Sequence, residues 1–150
     1  MSEPLVICVG NPYRRDDGVG LAVMAALAER TRAVETTGES TALLNLWEGR
    51  QRVVLVDAMS TGAEPGTVHT LIYRDGSWDA APPAAAASTH GMGVAEAVGL
   101  GAALGGLPAE VVLVGVEVGD TTHGVGLSEA VAAAVPAAAA IAASVAEGGP

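Results

Sequence analysis

The sequence predicts an α/β fold: a three-layer sandwich with a mostly parallel, twisted sheet of about five strands flanked by helices. Three observations predict it. Short apolar runs alternate with stretches of helical periodicity along the whole chain, the pattern that builds parallel sheets. One run, VVLV at Val53–Val56, is apolar at every position, as a strand covered on both faces requires. Another, LVICV at Leu5–Val9, passes through a tight glycine-bounded loop, GNPYRRDDGVG at Gly10–Gly20, straight into a helical pattern.

Taken in order, the first strand is Leu5–Val9. The helix after it is expected from about Gly18 to Arg32, with Val19, Val23, Met24 and Leu27 on one stripe. Asp16 and Asp17 fall where that helix's unpaired N–H groups and dipole favour negative charge. A short second strand, Ala33–Thr37, leads through GEST (Gly38–Thr41) to a short helix, Ala42–Trp47, ended by Gly49. The third strand is Arg52–Val56, with Asp57 just past its end, and TGAEPG (Thr61–Gly66) is loop. The fourth strand, TVHTLIY at Thr67–Tyr73, alternates in polarity, which suits a strand near an edge or an antiparallel one. His69 within it is expected on a solvated face.

Arg74–Thr89 is expected to be irregular, because Pro82 and Pro83 forbid a continuous helix. A loop of that length is more often functional than structural. A helix then starts near His90–Gly93 and runs to about Leu104, and GGLP turns the chain into the fifth strand, Glu110–Val116. Gly119–Gly126 is a glycine-rich loop. The last helix runs from Ser128, a candidate N-cap, to Ala146, with a kink expected at Pro136. With no internal repeat or linker, residues 1–150 read as a single domain.

Composition narrows the function. Half of the residues are hydrophobic, enough for a core and against disorder. The formal net charge is −10, and the seven basic residues are all arginines, the last of them Arg74. Nothing beyond it can neutralise phosphate, which argues against nucleic acid as a partner. No apolar run approaches the ~20 residues of a membrane span without a charge or glycine, so no membrane partner is expected. MSEPLVICVG lacks the basic start of a signal peptide, and one cysteine, Cys8, builds no disulfide framework, so a cytoplasmic protein is expected. Cys8, inside the first strand, reads as a small buried apolar residue.

The chemistry-bearing residues gather once they are placed on this frame. Asp17 lies just past the first strand, Asp57 at the end of the third, and His90 at the start of the helix after the fourth. Ligands of such sheets bind outside the carboxyl ends of the strands. Two carboxylates and an imidazole at one rim make a mixed oxygen and nitrogen metal site with open coordination positions, suited to nickel or zinc. Singly, Asp17 is also readable as a helix cap, Asp57 as a turn residue and His90 as a surface histidine. Asp16 reads as a neighbour that caps the helix or orients the ligands. His123, in TTHGVG, can approach the same rim. No serine or cysteine with a partner base offers itself as nucleophile.

These motifs resemble those of the hydrogenase maturation proteases, endopeptidases that trim the C-terminal tail of the nickel–iron hydrogenase large subunit. GNPYRRDDGVG is similar to the family's opening loop with its acid pair, VVLVDA (Val53–Ala58) to its second acidic strand, and STHGMGV (Ser88–Val94) to its histidine motif. Their order and spacing agree over roughly the whole chain, through VLVGVEVG and the GLSEAV helix. The resemblance implies a phosphorylase/hydrolase-like sandwich. It implies Asp17, Asp57 and His90 as the catalytic, metal-binding residues of an aspartic-type endopeptidase, with Asp16 behind them. It implies nickel carried in by the substrate, a site where zinc or cadmium can substitute in a crystal, and the immature large subunit as partner. A GGT-type turn tied to the choice of hydrogenase corresponds to Gly38, Glu39 and Ser40, the candidate substrate-recognition residues. Glu39 there replaces a glycine, which removes backbone permissiveness.

Three rival readings remain distinct. A nucleotide site is disfavoured because the first loop is not GxGxxG and its two aspartates repel phosphate, although Arg14 and Arg15 partly offset this. Peptidyl-tRNA hydrolase has a similar GNP opening, but the loop lacks that enzyme's histidine and asparagine, and the charge is wrong for tRNA. A non-catalytic nickel-binding or chaperone protein for hydrogenase assembly uses the same three residues without cleavage.

Overall fold

The computed structural model describes residues 4–29, 31–37, 39–79, 87–88 and 93–148. In chain order they form β1 (Leu5–Val9), a 3-10 turn (Arg15–Gly18), α1 (Val19–Ala26), β2 (Ala33–Thr36), α2 (Ser40–Trp47), β3 (Arg52–Ser60), β4 (Val68–Arg74), β5 (Ser77–Trp78), β6 (Ala87–Ser88), α3 (Gly93–Leu104), β7 (Glu110–Glu117) and α4 (Glu129–Ala146). The sheet runs β2-β1-β3-β7-β4-β5, with β6 paired separately to β3. Four consecutive members, from the edge strand β2 through β1 and β3 to β7, are parallel, whereas β4 pairs antiparallel to β7 and β5 antiparallel to β4.

The α/β sandwich is therefore the one expected, with a mixed sheet and two extra short strands. Both of these fall in the stretch read as irregular; residues 80–86 between them lie outside the described residues. β5 exists because Asp75 and Gly76 both take left-handed backbone angles (φ 54° and 84°), a two-residue turn that folds β5 back on β4. Tyr73 and Trp78 then meet edge to face at 5.4 Å between ring centroids.

Both sheet faces are covered, which explains the continuous apolar runs. Val6, Cys8, Val54, Val56, Val112 and Val114 pack against α1 and α4. Leu5, Ile7, Val9, Val53 and Leu55 point the other way, against Leu43 and Trp47 of α2 and Val94, Ala97 and Val98 of α3. α1 is much shorter than its apolar pattern suggests: Leu27 is already extended (ψ 146°). A helix to Arg32 would measure about 22 Å and overshoot β1, whose five residues span about 17 Å.

By length and hydropathy α4 matches a membrane span, contrary to the expectation that no run approaches one. Its buried stripe of Val131, Ala134, Ala138, Ala142 and Val145 packs on the sheet instead, as a core helix. At the amino end of the strands, Glu110 of β7 holds Arg52 of β3 at 2.7 Å and Arg74 of β4 at 2.9 Å. Arg52 also donates to the Val145 carbonyl near the end of α4.

Candidate active site

The order of the sheet reverses at β1, which has β2 on one side and β3 on the other. The crevice between the carboxyl ends of β1 and β3 is thus the switch point, where open α/β sheets leave room for a ligand.

β1 stops at Val9, and its last pairing with β3 is Cys8 to Val56. β3 continues, paired to β7 as far as Met59 and to β6 at Met59 and Ser60. Asp57 is therefore not a residue after the strand, as the sequence suggests. It lies inside β3, the first position beyond its pairing with β1, because β7 and β6 go on satisfying the backbone there. Its side chain is 2% exposed, and Oδ1 accepts the Ala58 amide at 2.8 Å.

The 3-10 turn that carries Asp16 and Asp17 packs against β3. Asp17 is 1% exposed, so both acids of the sequence-derived pair are buried on segments in contact at this crevice. Gly20 permits the approach. A Cβ at that position would lie 2.1 Å from the Val9 carbonyl oxygen and 3.1 Å from that of Val56.

Asp16 lies within the 3-10 turn, not at its N-cap position (Arg14) or at that of α1 (Gly18). Its buried carboxylate reaches across to the far loop, accepting the amides of Gly119 (2.9 Å), Asp120 (2.8 Å) and Ser128 (2.7 Å) and the Ser128 hydroxyl (2.8 Å). Burial pushes its pKa up. The three amides and the hydroxyl outweigh that and hold the group below the usual aspartate value.

The backbone of the two loops is stitched as well. Arg14 bridges Gly124, the Gly124 amide donates to the Tyr13 carbonyl, the Arg15 amide to the Gly124 carbonyl, and the Asp16 amide to the Asp120 carbonyl. Arg15 takes an uncommon left-handed φ of 46° to do this. His123 sits in this seam, its side chain exposed.

Sequence reasoning missed a second polar cluster at the same rim. Glu117, 2% exposed, accepts the amide and hydroxyl of Thr61 and meets His69 Nε2 at 3.2 Å. Burial raises its pKa, but the bonds from Thr61 and His69 prevail and lower it. His69 is thus not simply solvated. The alternation in β4 that puts it in line with the buried Leu71 was the available signal. His69, Gly115 and Asp57 form one row across β4, β7 and β3. The Met59 side chain occupies the room left by Gly115, where a Cβ would stand 1.8 Å from its sulfur.

Of the remaining candidates, His90 and Gly38 lie outside the described residues. Glu39 is exposed at the N-cap position of α2, and Ser40 is the first residue of that helix. Among the described residues, no three His, Cys, Asp or Glu gather as a metal site. Cys8 is fully buried, and burial, with a lesser push from Glu35, takes its thiol up to about 12. It is a neutral core residue rather than a nucleophile.

A sequence profile described as hydrogenase maturation protease (HycI) matches residues 21–145, a span that includes Asp57 and His90 and begins after Asp17. Among curated proteins nothing matches significantly. The fold is similar to that of the NiFe hydrogenase maturation protease HybD from Thermococcus kodakarensis, with a TM-score of 0.76 and 28% identity over 97% of this chain and 99% of that one. It is similar also to the hydrogenase maturating endopeptidase HybD from E. coli, with a TM-score of 0.76 and 23% identity over 99% and 94% of the two chains. A hydrogenase 2 maturation peptidase from a Thaumarchaeota archaeon matches with a TM-score of 0.64 and 24% identity, over 93% and 95%.

Proposed function

The chain belongs to the hydrogenase maturation protease family, and we propose that it removes the C-terminal extension of a nickel–iron hydrogenase large-subunit precursor after nickel has been inserted. Membership makes it a peptidase. The finer reading is that it acts in the cytoplasm, that the precursor's own nickel is what it recognises, and that Asp17, Asp57 and His90 grip that nickel.

One observation carries the reading: Asp17 and Asp57 are both buried, on segments packed together at the crevice between β1 and β3. Carboxylates sheltered from water attract a divalent cation far more strongly than exposed ones do. Asp57 is fixed by β3. Asp17 is held by a turn that Asp16 anchors to the far loop. A neutral His90 imidazole would complete a donor set suited to nickel. Substrate-borne nickel held there would act as a Lewis acid on the scissile carbonyl or its attacking water. The chain's own contribution is to bind and orient. Gly38, Glu39 and Ser40, which follow β2 in the chain, would select which precursor docks.

Incubation with a nickel-loaded precursor, followed by mass spectrometry, tests the proposal. Loss of the C-terminal tail is the expected result. Tight binding with no change in mass would replace the protease with a nickel-dependent assembly chaperone.

A further inference from the structure

The end of β7 ties together the supports of both crevice acids. Residues 117–120 make bonds in two directions. Towards β3, the Glu117 carboxylate accepts the Thr61 amide at 2.7 Å and the Thr61 hydroxyl at 2.5 Å, and the Val118 amide donates to the Met59 carbonyl at 3.0 Å. Towards the first loop, the Gly119 and Asp120 amides donate to the Asp16 carboxylate, and the Asp16 amide donates to the Asp120 carbonyl at 2.9 Å. Asp57 precedes Met59 by two residues, and Asp17 follows Asp16 directly.

The loop from β3 to β4 backs this segment. The Glu117 side chain holds its first residue, Thr61. The Glu117 backbone holds its far end, accepting the Gly66 amide and donating to the Thr67 carbonyl, both at 2.8 Å. Between those two fastenings, Pro65 lies against Gly119. A Cβ added at Gly119 would stand 3.2 Å from the proline ring and 3.5 Å from Asp16 Oδ2. The loop therefore presses on the residue whose amide holds Asp16. Packing does not call for a carboxylate at 117, since an apolar side chain of similar size would fill the place without burying a charge.

We propose that Glu117 is a positioning residue for the crevice: by fastening Thr61 it keeps the loop against Gly119, and so sets the spacing of Asp17 from Asp57. The inference rests on the reading of those two acids as nickel ligands. It adds a third acid that acts through them without touching the metal. Side chains that hold ligands in place govern metal affinity as well as local order. Glu117 does this at both ends of one short segment, on the β3 side with its carboxylate and on the Asp16 side through the backbone that follows it.

The test titrates the full chain with nickel(II) or cadmium(II) ion alone by isothermal calorimetry, well below the melting temperature of each variant. Wild type is expected to bind, and Asp57→Asn to lose most of that binding. Glu117→Ala should weaken Kd about tenfold, and Glu117→Gln, which keeps one oxygen to accept from Thr61, about threefold. Should the alanine variant fail to fold, the glutamine variant carries the comparison. Glu110→Ala is the control. It breaks the bonds to Arg52 and Arg74 at the opposite end of the sheet, so it destabilises the fold away from the crevice. Its Kd should stay within about twofold of wild type, as for an independent site. An unchanged Kd in the Glu117 variants, with binding lost in Asp57→Asn, overturns the positioning role and leaves the nickel grip standing. Equal weakening by Glu110→Ala overturns it too, because lost stability then explains the change. A wild-type chain that binds neither ion overturns the two acids as a nickel grip and the role of Glu117 with them.

Discussion

The Asp16 carboxylate accepts both the amide and the hydroxyl of Ser128, at 2.7 and 2.8 Å, across 112 residues of chain. Ser128 occupies the N-cap position of α4 but makes no cap bond to its own helix. Asp16 supplies the negative charge at that helix end instead. One side chain thus fixes the turn that bears Asp17 and the entry to the last helix.

Removing that carboxylate leaves three backbone amides without an acceptor. Asp16→Ala should cost about 3 kcal/mol or more, against about 1 kcal/mol for Ser128→Ala, which removes one hydroxyl bond. Urea unfolding measures both, and an Asp16→Ala cost below that of Ser128→Ala contradicts the hub role.

Acid should weaken the fold through the same groups. Asp16 and Glu117 both titrate lower in the folded chain than when unfolded, because their hydrogen bonds outweigh burial. A depressed folded pKa contributes stability that is fully present above the unfolded value, near pH 4, and is lost as pH falls through the folded value. Glu117→Gln should therefore cost about 2 kcal/mol at pH 7. The gap to wild type should narrow as the pH is lowered below about 4. A gap that is constant with pH would show that the charge of Glu117 plays no part.

Asp17→Asn, Asp57→Asn and His90→Ala should each reduce tail removal by about a hundredfold or more, since losing a direct ligand exceeds the effect of losing its support. The two Asn replacements keep shape, so their melting temperatures should stay within a few degrees of wild type. Near wild-type processing by all three variants would end the ligand assignment.

Gly20→Ala tests the packing of α1 on the strand ends. The added carbon meets the Val9 carbonyl oxygen at 2.1 Å, a backbone atom with no rotamer to yield. A loss of about 3 kcal/mol is expected, or about 6–12 °C in Tm for a domain of this size. A drop under about 2 °C would mean that α1 tilts away without cost.

Much of this was legible in the sequence. The strands that form the middle of the sheet announced themselves as unbroken apolar runs, because helices cover both faces. The acid pair could be placed at a strand end because Leu5–Val9 has a clear stop at Gly10. Three things could not be read. The end of β3 was misplaced because Asp57 looks like punctuation, and only its partners β7 and β6 show that the strand continues. The two-residue turn at Asp75–Gly76 was present in the letters but masked by the proline-rich stretch after it. The destination of Asp16 was hidden because local preference assigns it to the nearest helix, whereas its partners are more than a hundred residues away.

The two acids at the crevice stand on supports of unequal stiffness. Asp57 belongs to a strand clamped within the sheet, and Asp17 to a single turn tethered to a distant loop. If these acids bind the precursor's nickel as proposed, the spacing between them would be set on one side by β3 and on the other by the bonds that tie Asp16 to the far loop. Substitutions at 119–128, well away from the opening, are then expected to alter the size of guest accepted.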